Sequence, residues 1–286
     1  MYTLLINNCS PCHYEIIETI ISKYYSIFPI PKECDIFLNI CGGNDFRKYI
    51  SNKYSKIRFS KPKKYDYFIE CTINNENYKY ISKNSDNKFY ISHRVIDELK
   101  NLSNVVCLTP LAKRYIKADV LPFKDSKKCN TKLPIYIVQG NITKDRRNYD
   151  LIVKILENNY KYDFRFKFIG RGNLPNKIKK YHNKVILKNK LNFINYHKEF
   201  LDGYCILPSI TKKSHPNYYK TTLTSTMNYA SAYKLKCLID KDLQNIYKLE
   251  DVEIFDDINN IVDAFRKTLV DYYMGIGDKN NLKSSQ

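Results

Sequence analysis

Three arginines lie beside two glycine turns in this sequence. Arg146 and Arg147 follow Gly140, and Arg171 lies between Gly170 and Gly172. A guanidinium group matches the geometry of phosphate oxygens, and glycine lets a backbone approach a ligand closely. This combination predicts a site for a phosphate-bearing ligand. An α/β half with solvated arginines and no ligand fits the same spacing equally well.

The hydrophobic pattern predicts the elements that position these residues. Residues 135–138 are a short apolar run before Gly140, typical of a buried parallel strand. Apolar residues then recur on one helical face, at Tyr149, Leu151, Ile152, Ile155 and Leu156. We expect Asn141 or Thr143 to cap that helix. A second strand at 164–169 completes a β–α–β unit, whose two glycine turns should face one crevice at the carboxyl ends of the strands.

The same alternation extends over the whole chain. Strands are predicted at 2–6, 35–40, 65–72, 88–92, 105–108, 135–138, 164–169, 185–188, 204–207, 235–239 and 252–255. Helices are predicted at 14–28, 46–54, 95–102, 111–116, 193–201, 221–232, 243–248 and 259–273. Residues 74–87 are polar and predicted to form a loop. This pattern is typical of α/β proteins with helices on both faces of parallel sheets.

The polar, proline-containing stretch 121–133 is predicted to link two domains. We therefore expect an N-terminal Rossmann-like domain at 1–125, a C-terminal Rossmann-like domain at 126–274 and a flexible tail at 275–286. Two such halves predict a central cleft between them.

The amino-acid composition excludes few classes of function, although the net charge is strongly positive. The chain has 286 residues, 43% hydrophobic residues and a formal charge of +19. Lysine far exceeds arginine, and Asn, Ile and Tyr are abundant, as codon bias in an AT-rich genome produces; a large DNA virus or a bacterium fits. The charge alone therefore does not predict nucleic-acid binding, and no recognisable RNA-binding signature is present.

The nine cysteines are scattered, and their number is odd. Neither a signal peptide nor a transmembrane run is recognisable, so we expect reduced cysteines and a cytoplasmic location, which would be the host cytoplasm if the protein is viral. Peripheral contact with a membrane remains compatible with this expectation. Cys9 and Cys12 follow a strand and precede a helix, which is also the setting of a thioredoxin-like redox pair. Thioredoxin-like folds are much shorter than this chain.

The second half resembles the nucleotide-sugar-binding domain of the retaining GT-B glycosyltransferases, of the family 4 and family 1 type. The resemblance spans roughly residues 134–265. Its matching strings are Val-Gln-Gly140 with Arg146-Arg147, Phe-Ile-Gly170-Arg-Gly172, Leu-Pro208-Ser209 and Thr224-Ser225-Thr226-Met. It implies a GT-B fold, a UDP- or GDP-sugar as donor substrate with no tightly bound cofactor, and a glycan or glycoprotein acceptor.

The resemblance also implies roles for individual residues. Gly140, Asn141, Arg146 and Arg147 would face the donor diphosphate, and 170–172 the nucleoside. The remaining expected donor contacts are Ser209, Tyr219, Lys220, Thr224, Ser225 and Thr226. Arg146 and Arg147 would stabilise the departing diphosphate, since we expect no metal site.

The chain departs from the family in one segment. Many members carry two glutamates seven residues apart after Pro-Ser, whereas residues 208–225 contain no acidic residue. Hydroxyl and amide groups would then have to hold the ribose, or the donor is different. A non-catalytic nucleotide-sugar-binding protein is therefore one alternative, and a basic nucleic-acid-binding protein that stacks bases on tyrosine is another.

His93 is the predicted base for the acceptor, because it directly follows the strand at 88–92. Members of the family often carry a histidine at such a position. A loop histidine that hydrogen-bonds to the backbone is the alternative interpretation.

Overall fold

The computed structural model of the protein describes residues 1–8, 14–41, 43–73, 78–81, 85–126 and 131–283. Cys9 and Cys12, which form the candidate redox pair, and His13 lie outside the described residues. The described chain divides into two compact units. The first contains residues 1–124, 192–194 and 220–224, and the second contains 125–191, 195–219 and 225–286.

The first unit is built on one parallel sheet. Its strands are β1 (Tyr2–Asn8), β2 (Cys34–Ile40), β3 (Ile57–Arg58), β4 (Tyr67–Ile73), β5 (Lys88–Ser92) and β6 (Val105–Cys107). Its helices are α1 (Tyr14–Ile27) and α2 (Asn44–Lys53), and a 3-10 turn spans Tyr78–Tyr80. The strand order is β3-β2-β1-β4-β5-β6, so the order reverses between β1 and β4. Apolar side chains of both helices pack on one face of this sheet.

The second unit repeats this plan. Its strands are β7 (Ile135–Gln139), β8 (Arg165–Gly170), β9 (Val185–Asn189), β10 (Cys205–Ile206), β11 (Lys236–Asp240) and β12 (Val252–Phe255). Its helices are α3 (Tyr149–Asn159), α4 (Asn176–Lys179), α5 (Phe193–Lys198), α6 (Thr226–Ala232), α7 (Lys241–Tyr247) and α8 (Ile261–Lys283). The first two residues of α5 group with the first unit. Short 3-10 turns span His182–Lys184 and Pro216–Tyr219. The order β12-β11-β10-β7-β8-β9 reverses between β7 and β10.

The predicted α/β fold with two parallel sheets is confirmed, but several predicted helices are wrong. Residues 95–102 form turns, whose Ile96 and Leu99 enter a small apolar core. The 111–116 segment is not helical either: the amide of Ile116 donates to the carbonyl of Cys107, and so continues the edge of β6. The helix predicted at 221–232 begins only at Thr226; before it, the amide of Val95 donates to the carbonyl of Thr221 at 2.8 Å. Pairing with distant backbone outweighed local helical periodicity at these places.

Other elements differ from the prediction in their bounds. The last helix continues to Lys283 rather than ending at 273, and the short strand β3 was not predicted. Within the described residues, no helix is both long and apolar enough to cross a membrane.

A buried ammonium group ties the end of α5 to the second sheet. Lys167 lies in β8 with its side chain 3% exposed, and its Nζ is 3.0 Å from the carboxylate of Glu199 and 2.5 Å from that of Asp202. Lys188 of the neighbouring β9 also reaches Glu199, at 3.3 Å. A buried charge persists only when such partners compensate its desolvation.

We expect Lys167→Met to lower the free energy of unfolding by about 1–3 kcal/mol, because two carboxylates lose a buried charged hydrogen bond. Lys180→Met is the matched control, since Lys180 and Glu157 form a half-exposed pair at 3.4 Å. Its expected effect is much smaller, because exposed ion pairs are screened by solvent. Equal effects of the two variants in chemical denaturation would contradict the assigned role of Lys167.

A row of polar side chains crosses the first sheet where its strand order reverses. Asn39, Asn7 and Glu70 are register partners on β2, β1 and β4. The amide of Asn39 donates to Asn7 at 2.6 Å, and the amide of Asn7 donates to the Glu70 carboxylate at 2.6 Å. An apolar row, Phe37–Leu5–Phe68, lies two residues earlier on the same strands. The connection from β3 to β4, residues 59–66, contains no helix that would cover this face.

Burial raises the pKa of Glu70 to about 7, from an ordinary value of 4.5. The hydrogen bonds from Asn7 and from the Thr72 amide oppose this shift only in part. Between these two pKa values the unfolded chain ionises Glu70 while the folded chain keeps it protonated. Stability therefore falls as the pH rises through this window.

Replacing Glu70 with glutamine removes this titration. We expect Glu70→Gln to match the wild type in melting temperature near about pH 5 and to exceed it near about pH 8, because only the wild type must bury a carboxylate at the higher pH. Glu33→Gln, at an exposed glutamate, controls for the loss of a charge. A difference that does not change with pH would show that Glu70 titrates normally.

Candidate functional site

The two glycine turns of the second unit lie side by side at the carboxyl ends of β7 and β8. The amide of Gly140 donates to the carbonyl of Ile169 at 2.8 Å, and the amide of Ile142 donates to that of Arg171 at 2.7 Å. Gly170 has a φ of +153°, and a Cβ there would overlap the carbonyl of Gly140. Glycine is therefore required for the close approach of the two turns. The predicted β–α–β arrangement is present, with both turns at one edge of the sheet.

The side chain of Arg147 turns into the second unit. Only 7% of the residue is exposed, and its guanidinium donates to the backbone carbonyls of Gln139 and Arg146. No carboxylate of the described residues forms an ion pair with it. Burial lowers the pKa of Arg147, and the hydroxyls of Tyr218, Tyr196 and Tyr149 are among the groups around it. Arg147 thus holds the end of β7 and brings an uncompensated positive charge to it.

Arg146 has a different environment from its neighbour. Its side chain is 45% exposed, lies 3.5 Å from the Asp145 carboxylate and donates to the hydroxyl of Tyr218 at 3.3 Å. Tyr218 belongs to the 3-10 turn that follows the Pro-Ser segment. A ligand in solvent can therefore reach Arg146, whereas Arg147 is buried beneath the loop that follows β7.

The helix after Gly140 begins later than predicted. Asn148 caps α3 by accepting a hydrogen bond from the amide of Asp150, so Asn141 and Thr143 are not the caps. Asn148 is fixed by Ser209, whose hydroxyl donates to the Asn148 carbonyl at 2.8 Å. Ser209 is buried and adopts a positive φ of 55°, which is costly for a residue with a Cβ. Its hydrogen bonds with Asn148 offset this cost and hold together the loops after β7 and β10.

Gln139 joins the end of β7 to the start of α6. The side-chain Nε2 of Gln139 donates to the hydroxyls of Ser225 at 3.0 Å and Thr226 at 3.2 Å. Its side-chain oxygen, Oε1, accepts a hydrogen bond from the Tyr196 hydroxyl at 3.0 Å. Ser225 and Thr226, both predicted donor contacts, therefore lie next to the Gly140 turn. Gln139 and Tyr196 were not predicted as site residues, because a polar residue near the end of a strand or in a helix does not by itself indicate a binding site.

The remaining predicted donor contacts are divided between the two units. Asn141 and Arg171 are exposed on the paired glycine turns, and Tyr219 is buried with its hydroxyl 3.4 Å from the carbonyl of Ile210. Lys220 and Thr224 instead belong to the segment that groups with the first unit.

Three buried polar atoms of the second unit make no hydrogen bond with the described residues: the Tyr149 hydroxyl, His215 Nε2 and Asn228 Nδ2. Tyr149 and Asn228 lie in the first turns of α3 and α6, the two helices that follow the loops described above. Buried polar groups are rarely left without partners in folded proteins. These three atoms therefore have hydrogen-bonding capacity that the described residues leave unused.

In the first unit, His93 directly follows β5, as predicted. Its carbonyl accepts a hydrogen bond from the amide of Leu223 at 3.3 Å, and Arg94 forms an antiparallel bridge with Thr222. The polar row Asn39–Asn7–Glu70 is a second candidate in this unit that sequence reasoning missed. A carboxyl group with a pKa of about 7 is suited to proton transfer at neutral pH.

No protein-family model matches the sequence, and no curated protein matches it. Solved structures, however, share the fold. AviGT4, a glycosyltransferase involved in avilamycin A biosynthesis, has a TM-score of 0.57 at 7% identity, covering 94% of this chain and 88% of that one. Alr3699/HepE of Anabaena in complex with UDP has a TM-score of 0.53 at 9% identity, covering 93% and 90%.

The ADP-heptose lipopolysaccharide heptosyltransferase II of E. coli has a TM-score of 0.51 at 8% identity, covering 95% of this chain and 99% of that one. Such identities show similarity of fold alone. Two parallel six-stranded sheets with flanking helices give the described chain the α/β architecture of the GT-B glycosyltransferases.

Proposed function

We propose that the protein is a glycosyltransferase that moves a sugar from a nucleotide-sugar donor to a glycan or glycoprotein acceptor. The observation that carries this proposal is the uncompensated charge of Arg147 at the carboxyl end of β7, beside the exposed Arg146. Ligands of open parallel sheets bind at this end, where the strand order reverses. A diphosphate would supply the missing negative charge.

The proposed reaction breaks the bond between the sugar and the diphosphate. The leaving nucleoside diphosphate keeps the electron pair of that bond and gains negative charge. Fixed positive groups that face this charge accelerate the step, because they need no reorganisation as it develops. Arg146 would contact the diphosphate, and Arg147 would add its charge from below while it holds the Gly140 turn in place.

The other predicted donor contacts have roles in the same proposal. The exposed residues of the paired turns, Asn141, Arg171 and Gly172, would contact the nucleotide. Ser225 and Thr226 present hydroxyl groups next to Gln139, in a segment that contains no acidic residue. We take UDP- and GDP-sugars as the first donors to test, and ADP-sugars as the third. UDP is bound in the structure of Alr3699/HepE, and ADP-heptose is named for the E. coli heptosyltransferase.

We further propose that His93 accepts the proton of the attacking acceptor hydroxyl. The position of His93 at the end of β5 supports this role, and the hydrogen bond from the Leu223 amide to the His93 carbonyl fixes its backbone. An acceptor bound elsewhere would leave the transfer rate of His93→Gln equal to that of the wild type.

Calorimetric titration with UDP, GDP and ADP tests the donor site. We expect at least one to bind the wild type, and Arg146→Ala to weaken that binding by about 1.5–3 kcal/mol through the loss of a charged hydrogen bond. The melting temperature should stay unchanged, because Arg146 is half exposed. Arg165→Ala is the control, since Arg165 is an exposed arginine at the opposite end of β8. Equal affinities of the Arg146 and Arg165 variants would refute the assignment.

Arg147→Ala should behave differently from Arg146→Ala. It removes the hydrogen bonds to the carbonyls of Gln139 and Arg146, so we expect a lower melting temperature together with weaker nucleoside diphosphate binding. Loss of stability with full binding affinity would make Arg147 purely structural. Binding without sugar transfer to any offered acceptor would favour the non-catalytic alternative.

A further inference from the structure

His215 is a buried histidine, and among the described residues the structure gives a hydrogen-bonding partner to only one of its two ring nitrogens. It is 7% exposed, and its Nδ1 lies 2.7 Å from the hydroxyl of Ser214. Ser214 is itself fixed by Thr211, whose amide donates to the Ser214 hydroxyl at 3.2 Å. The ring orientation is therefore set by a hydroxyl held within its own loop. The other ring nitrogen, Nε2, is buried and makes no hydrogen bond with the described residues.

The charged groups around His215 come from the loop between β7 and α3. Burial is the main cause that lowers the pKa of His215, and the guanidinium of Arg147 is the next; Arg146 acts in the same direction. The Asp145 carboxylate and the nearby Asp145 backbone oppose these effects only in part. On the same loop as His215, the ring centroid of Tyr218 lies 6.1 Å from that of the imidazole. The imidazole is thus neutral beside two arginines while no anion is bound.

Nε2 of His215 lacks a hydrogen-bonding partner among the described residues, and the nearby guanidinium of Arg147 lacks a carboxylate partner there. One anionic ligand would satisfy both groups. A phosphate oxygen accepts a hydrogen bond from an N–H group and offsets the positive charge of the arginines. Its negative charge also favours the protonated form of a nearby imidazole. The position follows the Pro-Ser segment, where the chain has no acidic residue.

We propose that His215 donates a hydrogen bond from Nε2 to a phosphate oxygen of the nucleotide donor, and that binding is coupled to uptake of a proton by its ring. This inference rests on the proposed function, because it places the donor diphosphate beside Arg146 and Arg147. The proton comes from solvent and remains on the imidazole for as long as the diphosphate is bound. Donor affinity then depends on pH through the protonation of His215.

Calorimetry with UDP, GDP and ADP in two buffers of different ionisation enthalpy, near about pH 7, measures the protons taken up on binding. We expect the wild type to take up more protons than His215→Gln, by a fraction of up to about one proton. Near about pH 6 the variant should bind roughly 10- to 100-fold more weakly, because a charged hydrogen bond is lost. This deficit should shrink as the pH rises to about 8, where the wild-type imidazole is less often protonated. Comparing variant and wild type with the same nucleotide cancels the titration of the nucleotide itself.

His182→Gln is the matched control, because His182 is an exposed histidine of the same unit. It should bind and take up protons as the wild type does. Identical proton uptake and affinity in His215→Gln and the wild type would overturn the inference while leaving the proposed function intact. If none of the three nucleotides binds the wild type, the proposed function fails, and this inference fails with it.

A second measurement does not depend on the folding of a variant. The ring protons of His215 in the wild-type protein, followed by nuclear magnetic resonance, should titrate at a higher pH with the bound nucleotide than without it. A midpoint that binding leaves unchanged would also overturn the inference.

Discussion

Arg147 brings a positive charge into the interior of the second unit, where its hydrogen-bond partners are backbone carbonyls rather than a carboxylate. Desolvation of such a charge is expensive unless an anion compensates it. Several neighbouring features accommodate this charge or respond to it. The guanidinium holds the carbonyl of Gln139, so the end of β7 is fixed; Gly140 has no side chain because the guanidinium occupies that space. The imidazole of His215 stays neutral nearby.

The two units place different chemistry at corresponding points of similar sheets. Each strand order reverses at its first strand, β1 in one unit and β7 in the other. At the first reversal, two asparagines and Glu70 form a hydrogen-bonded row with a carboxyl group that stays protonated up to about pH 7. At the second, arginines and hydroxyl groups meet paired glycine turns. Uncharged hydrogen-bonding groups suit hydroxyl-bearing ligands, and positive groups suit phosphates.

Local patterns were sufficient to predict the sheets but not every element around them. Apolar runs such as 135–138 are too short and too β-branched to be anything but buried strands, and all of those predicted are present. The helices predicted at 95–102 and 111–116 are absent, and the one predicted at 221–232 begins only at Thr226, because the remaining segments pair with other parts of the backbone or form turns. A capping residue is equally ambiguous in sequence. Asn141, Thr143 and Asn148 are all suitable, and only the hydrogen bonds with Ser209 select Asn148.

The sequence by itself determined the α/β class, the two glycine turns and the presence of arginines beside them, because these depend on residue type and short-range spacing. Tertiary structure alone decided which arginine is buried and which is exposed, since neighbouring residues have identical chemistry until the fold orients their side chains. It also decided the environments of Glu70 and His215. Burial and charges contributed by other segments set both pKa values, and neither is encoded near those residues in the chain.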